Sequence, residues 1–290
     1  MGNGIAASEL IINTDGSVFH LHLRPEHLSD RIILVGDPAR VNLVASHFDK
    51  KNFEISNREF HSIGGTFKGK PILCVSHGIG ADNIDIVVNE LDALANIDFG
   101  SRTITPRFRQ LTMVRIGSSG SIQEDIPIGS MVIAQKALGI DGAFHFYKGS
   151  EQVRDVALED DFIKQTHWHP IWNHPYIVDA DAELVDRIAT AEMYKGITIT
   201  ANGFYGPQGR VLRLPLAEPE FKMLLHNFKS NGFRITNFEM ESAMLQGLAK
   251  LMGHKAVTVC SIIAGRMSNK AETNYKSSMD DLIEIILDRI

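Results

Sequence analysis

Residues 234–252, RITNFEMESAMLQGLAKLM, place two carboxylates at a junction between two structural elements. The apolar run 234–238 predicts a strand, and the apolar segment 242–252 predicts a helix. Glu239 and Glu241 stand between them. Because an unpaired buried carboxylate is costly, we expect a partner or a ligand at this junction. Vicinal hydroxyls of a sugar would suit one carboxylate, although a plain helix N-terminus also favours acidic residues through its dipole.

Strands and helices alternate through the rest of the chain. Apolar strand-like runs occur at 31–36, 112–117, 197–204 and 256–263, and helical patterns occur at 39–48, 83–95 and 218–231. This alternation predicts an α/β fold with a mostly parallel or mixed sheet. No repeat or linker divides the chain, so we expect residues 1–290 to form a single domain.

Three segments read as additions to that domain. Residues 1–19 show little periodicity, and we expect them to form an N-terminal arm. Residues 98–110 are polar and basic, and residues 142–173 are rich in aromatic, histidine and charged residues, so we expect both to be inserted segments on the surface or at a subunit contact. The second insertion continues into a histidine cluster formed by His167, His169 and His174. This cluster lacks a carboxylate or thiolate at a suitable spacing, so we expect no metal there.

The composition limits the possible partners and compartments. The 290 residues carry a net charge of -6, which argues against a nucleic-acid surface. Cys74 and Cys260 each lie in an apolar run, a pattern that fits two free thiols in a reducing cytoplasm and leaves a single disulfide open. No apolar stretch reaches membrane-spanning length, and the polar start lacks a signal-peptide core. We therefore expect a cytoplasmic protein with no membrane partner.

Three predicted strand ends combine glycine with polar residues, at 36–40 (GDPAR), 76–80 (SHGIG) and 115–120 (RIGSSG). Ligands of α/β sheets collect at such ends, where glycines let an anion approach the backbone N–H groups. Arg40 could equally belong to a solvated helix face. Arg115 lies inside an apolar strand, so it requires either a bound anion or a carboxylate partner.

Familiar nucleotide and hydrolase motifs are missing. The chain has no GxxxxGK[ST] motif and no GxGxxG after a strand. Residues 117–121 (GSSGS) approach the GxSxG nucleophile elbow, but Ser121 occupies the position of the last glycine. A serine hydrolase is therefore the weaker alternative.

Taken together and in order, several segments carry a resemblance to the nucleoside phosphorylase-I family, and within it to the branch that acts on uridine. The segments are 18–21 (VFHL), 36–40, 58–60 (REF), 78–80 (GIG), 115–120, 204–210 (FYGPQGR) and 238–242 (FEMES). The resemblance implies a single-domain, three-layer α/β/α fold with a central mixed sheet. It also implies an enzyme of nucleoside salvage that is a pentosyltransferase.

The implied reaction converts a nucleoside and inorganic phosphate into a free base and α-ribose 1-phosphate. Phosphate is a co-substrate, and no metal or organic cofactor is expected. Positioning and electrostatics would then supply the catalysis, because the glycosidic bond breaks through an oxocarbenium-like state and the base leaves as an anion.

The resemblance also implies roles for individual residues. The phosphate site would comprise Gly36, Arg40, Arg115, Ser118 and Arg58, the last supplied by a neighbouring subunit. The ribose site would comprise Glu241 at the 2′- and 3′-hydroxyls, Met240 beneath the sugar, Glu239 in support, and His20 from across the same interface. The base site would comprise Phe204, Gln208 and Arg210, and Arg266 would neutralise charge on the departing pyrimidine.

The base preference follows from the strand at 256–263. Purine enzymes of the family present an aspartate after this strand, whereas here residues 263–267 (IAGRM) contain no carboxylate. Uridine is therefore the expected substrate. The alternatives are a purine nucleoside phosphorylase or nucleosidase on the same fold, and a nucleoside-binding protein without turnover. Three departures from the uridine pattern are Gly265, where asparagine is frequent, Ser118, where threonine is frequent, and the local order of residues 205–208 (YGPQ).

The resemblance implies a homo-oligomer. If His20 and Arg58 act across an interface, a dimer is the minimal active unit. The family pattern favours a hexamer built as a trimer of dimers.

Overall fold

The computed structural model describes residues 4–274 and 276–290, in which strands alternate with helices. The strands are β1 (Arg31–Val35), β2 (Lys50–Asn57), β3 (Phe60–Phe67), β4 (Lys70–Ser76), β5 (Ile97–Asp98), β6 (Thr103–Ile104), β7 (Thr112–Ser121), β8 (Met131–Gly139), β9 (Tyr176–Asp179), β10 (Tyr194–Thr200), β11 (Lys229–Ser230), β12 (Phe233–Glu239), β13 (Lys255–Gly265) and β14 (Lys270–Ala271). The helices are α1 (Pro38–Ala45), α2 (Ala81–Asn96), α3 (Val156–Thr166), α4 (Ala182–Ile188), α5 (Phe221–Asn227), α6 (Ser242–Met252) and α7 (Lys276–Arg289).

The central sheet is mixed, as the sequence predicts. Its strands lie in the order β11-β12-β10-β8-β13-β7-β1-β4-β3-β2, with β14 beside β13 and β9 beside β8. Strands β4, β1, β7 and β13 run parallel, whereas β2, β3 and β4 pair antiparallel. Strand β12 also pairs with β7, through Asn237 and Ser121, so β12, β10, β8, β13 and β7 close into a ring. This closure brings the end of β12 beside β7.

Helices cover both faces of the sheet, which confirms the three-layer α/β/α arrangement. On one face, Ile84 of α2 and Leu248 of α6 belong to one buried cluster. On the other face, Val41 of α1 and Ile283 of α7 belong to a second cluster. Helices α3 and α5 pack on a third cluster that contains Phe162.

Local sequence signals explain several element boundaries. Helix α1 begins where Asp37 accepts a hydrogen bond from the backbone N–H of Ala39 at 2.9 Å, as expected for an Asp-Pro start. Helix α6 spans the predicted residues and ends at Gly253, whose φ is +84°. Glycine is favoured in this left-handed conformation, which terminates helices.

Two predicted elements differ in the structure. The predicted strand 197–204 ends at Thr200, so Phe204 lies in a loop that leads to a short 3-10 turn at Gly206–Gln208. The predicted helix 218–231 is shortened to α5. Residues 229–230 instead form β11, which pairs with β12 around Asn231 and Gly232, both at positive φ. An Asn-Gly pair favours such a two-residue hairpin, and this turn signal overrides the helical pattern.

The predicted arm and insertions make contacts of different kinds. From residue 4 onward, the arm lies against the 98–110 segment, where the Arg102 side chain donates to the carbonyl of Ile5 at 2.7 Å. Residues 1–3 of the predicted arm lie outside the described residues. The 142–173 segment contributes the fully buried Phe144, Leu158 and Phe162 to the core and contains α3. Strand β9 and helix α4 follow it and were missed by the sequence reasoning.

The two cysteines are free and buried, Cys74 in β4 and Cys260 in β13. This confirms the expectation of two free thiols. Among the described residues, no helix is both long enough and apolar enough to cross a membrane.

Candidate active site

The acidic junction is built around Glu239, the last residue of β12. Its carboxylate accepts hydrogen bonds from the backbone N–H groups of Glu241 and Ser242, each at 2.9 Å, and from the hydroxyl of Thr200 at 2.6 Å. The first N–H groups of a helix have no partner within the helix, so this carboxylate caps α6. Glu239 is 4% exposed and also pairs with Arg115 Nη1 at 3.0 Å. Glu239 therefore supports the start of α6 and holds Arg115 in place.

Glu241 is equally buried, and each of its oxygens has one hydrogen-bond partner. Oε1 accepts from the backbone N–H of Gly80 at 2.7 Å, and Oε2 contacts Arg115 Nη2. Gly80 has a φ of +97°, a conformation that side-chain-bearing residues rarely adopt. Burial raises the pKa of Glu241 to about 7; Arg115 opposes this rise, and Glu239 adds to it. A carboxylate of this kind gains or loses its proton near neutral pH.

Arg115 resolves the choice posed by the sequence between a bound anion and a carboxylate partner, because it pairs with both Glu239 and Glu241. Its Nε also donates to His77 Nε2 at 3.2 Å. Burial acts to lower the pKa of Arg115, but the two carboxylates outweigh it and hold that pKa above its ordinary value. The side chain folds back over Gly117, where an added Cβ would lie 2.5 Å from Arg115 Nη1. Glycine at 117 is therefore required for this arrangement.

A cavity of about 1100 Å³ opens in front of this cluster at the carboxyl ends of the strands. Eleven residues singled out from the sequence line it: Gly36, Arg40, Arg115, Ser118, Phe204, Gln208, Arg210, Glu239, Met240, Glu241 and Arg266. The parallel strands β1 and β7 end at the same edge, which is why Gly36 and Ser118 meet although they are far apart in sequence.

One corner of the cavity is basic and lies at the start of α1. Arg40 projects from the first turn of α1 and donates to the carbonyl of Ile116 in β7 at 3.2 Å. Gly36 precedes this helix, and Ser118 follows on β7. A helix start with an adjacent arginine and hydroxyl is suited to a phosphate-sized anion.

Another corner of the cavity is built by the 204–210 loop and Arg266. The Arg210 guanidinium lies 3.7 Å from the centre of the Phe204 ring, and Arg210 also donates to the side-chain oxygen of Gln208. Arg266 donates to the carbonyls of Gln208 and Gly209 at 3.0 and 3.2 Å. Burial, followed by the nearby Arg266, lowers the pKa of Arg210 to about 10. This corner offers an aromatic face, an amide and two guanidinium groups to a flat polar ligand.

Comparison with known proteins places this architecture in a family. The sequence profile described as the phosphorylase superfamily matches residues 30–288. The chain belongs to the phosphorylase superfamily. Its relatives include the uridine phosphorylases of Thermococcus kodakarensis, 30% identical over 263 residues (88% of this chain, 80% of that protein), and Haemophilus influenzae, 28% identical over 287 residues (93% and 96%). A crystal structure of a Trypanosoma brucei nucleoside phosphorylase, described as showing uridine phosphorylase activity, superposes with a TM-score of 0.88 at 29% identity, covering 97% of this chain and 98% of that one.

In this member of the phosphorylase superfamily, His20 and Arg58 do not line the cavity of their own chain. His20 is fixed by Glu90, which accepts from its backbone N–H at 2.9 Å and lies 2.7 Å from its Nδ1. Arg58, with a φ of +55°, lies over the Phe19 ring at 5.6 Å. The two predicted residues thus lie together beside Phe19 and are not among the residues that line this cavity.

Two parts of the site received no role from the sequence, although His77 lies in the strand end 76–80 that was singled out. The hairpin of β13 and β14 supplies the rim residues Asn269, Lys270, Ala271, Glu272 and Thr273, for which no motif gave a signal. His77 lies behind Arg115 and is fully buried. The sequence alone could have indicated a role for His77, because a histidine at the end of an apolar strand rarely lacks a hydrogen-bond partner.

The histidine cluster of the inserted segment makes local contacts. His169 Nδ1 accepts from the backbone N–H of Ile171 at 3.3 Å, and His174 Nδ1 lies 2.8 Å from the carbonyl of Pro175. Across the described residues, no group of three or more His, Cys, Asp or Glu side chains is arranged to hold a metal ion.

Proposed function

We propose that this chain catalyses the phosphorolysis of uridine to uracil and α-ribose 1-phosphate. The observation that carries the proposal is the single cavity that joins the acidic pair at Arg115, the basic corner at Arg40 and the aromatic-amide corner at Gln208. These three parts match a ribose diol, a phosphate and a pyrimidine. The superfamily membership and the uridine phosphorylase relatives support the same reaction.

The bond changes in this reaction involve the sugar C1′ carbon. The C1′–N1 bond breaks with its electron pair going to uracil, while a phosphate oxygen forms a new bond to C1′. Arg266 and Arg210 lie where they would stabilise the negative charge on the leaving base, which then takes a proton from solvent. Arg40, Arg115, Ser118 and the Gly36 N–H would hold the phosphate on the opposite side of the sugar.

Glu241 would bind the ribose. A carboxylate offers about four acceptor sites, and Gly80 and Arg115 use two of them. The remaining sites would accept the 2′- and 3′-hydroxyls, with Met240 beneath the sugar. Inorganic phosphate is the proposed co-substrate.

We infer that His20 and Arg58 act in the cavity of a second copy of the chain. The two side chains lie together at the surface and do not line the cavity of their own chain. This placement supports a role across an interface between two copies of the chain. At least a dimer is then required for activity, and the family pattern favours a hexamer. The cytoplasm is the proposed compartment, in keeping with the two free thiols.

A substrate panel tests the proposal. We expect purified protein to release uracil from uridine only when phosphate is present, and to form ribose 1-phosphate in equal amount. Phosphate-independent release of a base would indicate a nucleosidase instead. Binding of uridine without product at any phosphate concentration would indicate a protein without turnover.

One observation favours a second candidate, phosphorolysis of a purine nucleoside. Glu272, on the rim hairpin, also lines the cavity, and its carboxylate accepts from the backbone N–H of Asn274 at 2.7 Å. A purine needs a proton at N7 to leave, and a carboxyl group could supply it. Faster cleavage of inosine than of uridine in the same panel would favour this candidate.

Replacing Gln208 with alanine is expected to raise the KM for uridine roughly tenfold and to narrow the preference for uridine over inosine. The Gln208 oxygen accepts from Arg210, which leaves its NH₂ group to donate to a uracil carbonyl. Steady-state kinetics with both nucleosides would measure the change. Gln165→Ala, an exposed amide on α3, is the matched control and should leave both KM values unchanged. An unchanged base preference in Gln208→Ala would remove Gln208 from base recognition.

A further inference from the structure

The guanidinium of Arg115 is held from three directions. Glu239 contacts Nη1, Glu241 contacts Nη2, and His77 lies 3.2 Å from Nε. Arginine stays protonated in proteins, so Nε is the donor in the last contact. His77 Nε2 must then be the unprotonated acceptor, and the ring proton of a neutral His77 resides on Nδ1.

The surroundings of His77 favour this neutral form. The ring is fully buried, and its Nδ1 has no hydrogen-bond partner among the described residues. Burial, followed by the nearby charges of Arg115 and Arg40, holds the pKa of His77 well below its ordinary value. A cationic ring would face two guanidinium groups and would lose the bond from Nε.

His77 also packs against the corner where phosphate is expected. A Cβ built on Gly36 would lie 3.7 Å from the Cε1 atom of His77. The imidazole therefore lies between the turn after β1 and the Arg115 side chain of β7. Neither Glu239 nor Glu241 reaches this side of the guanidinium.

We propose that His77 is a positioning residue that orients the Arg115 guanidinium toward bound phosphate. This role rests on the phosphate site proposed above. Two carboxylates already exceed the single positive charge of Arg115, so a third anionic acceptor at Nε would oppose the entry of phosphate. A neutral imidazole fixes the guanidinium without adding negative charge.

Kinetics of two variants test the role. In His77→Leu, Nε loses its acceptor, and we expect the KM for phosphate to rise roughly tenfold to a hundredfold while the KM for uridine changes much less. In His77→Gln, the amide oxygen can accept from Nε, and most of the phosphate affinity should return. His254→Gln is the matched control, since His254 is a buried histidine outside this cavity whose ring nitrogens bond to Leu111 and Asp92. Its KM for phosphate should stay at the wild-type value.

A spectroscopic measurement separates this inference from the proposed reaction. In ligand-free protein labelled with ¹⁵N-histidine, we expect the His77 ring to carry its proton on Nδ1, with Nε2 unprotonated. This result is independent of which substrate the enzyme uses, and it stays measurable if His77→Leu does not fold. A proton on Nε2 of His77 would overturn the inference. So would a folded His77→Leu that cleaves uridine with an unchanged KM for phosphate.

Discussion

Glu241→Ala is expected to lower kcat/KM for uridine roughly a thousandfold, since two hydrogen bonds from ribose hydroxyls to a buried carboxylate are lost. The same change leaves Arg115 with one carboxylate and leaves the Gly80 N–H without its acceptor. Glu241→Gln keeps an oxygen for Gly80 but loses the charge. We therefore expect it to fall between Glu241→Ala and the wild type.

The comparison of uridine with 2′-deoxyuridine isolates the ribose contact. In the wild type, the 2′-hydroxyl interacts with Glu241, so its removal should reduce kcat/KM. In Glu241→Ala, that partner is gone, and the two substrates should be cleaved at similar rates. Glu26→Ala, an exposed glutamate outside the cavity, is the control and should keep the wild-type ratio. If Glu241→Ala retained the wild-type preference for uridine, the 2′-hydroxyl would have another partner.

The position of the cavity could be predicted from the sequence because parallel strands end at one edge of the sheet. Glycine and arginine after β1 and inside β7 predicted an anion-binding edge, and the structure brings Gly36, Arg40 and Ser118 to one cavity. Local signals also located α6 and the start of α1. The hairpin at Asn231 and Gly232 was equally visible, but the apolar pattern around it was interpreted as a longer helix.

The partners of Arg115 could not be derived in the same way. The sequence required an anion or a carboxylate, and the choice depends on the pairing of β12 with β7, which closes the ring of strands. Sequence spacing carries no information about that closure. His77 reaches Arg115 because β4 and β7 both flank β1, again a non-local result of strand order.

Arg115→Met is expected to destabilise the protein by about 3–5 kcal/mol at pH 8, because it leaves two buried carboxylates without their cation. The loss should be smaller at pH 5. Glu241 has a folded-state pKa of about 7, above its ordinary value of 4.5, so the folded state binds more protons than the unfolded state between these pH values. Stability contributed by this group therefore falls as pH rises through that window.

Removing Arg115 takes away the largest of the interactions that lower the pKa of Glu241 against burial and Glu239. The folded-state pKa then rises further, and the decline of stability with pH extends to higher pH. Urea unfolding at pH 5 and pH 8, at one protomer concentration, would measure this. Adding Glu241→Gln to Arg115→Met removes one of the two carboxylates and should reduce the difference between the two pH values. An equal loss of unfolding free energy at pH 5 and pH 8 would mean that Arg115 does not stabilise the ionised carboxylates of Glu239 and Glu241. Another cationic group would then have to balance their charge.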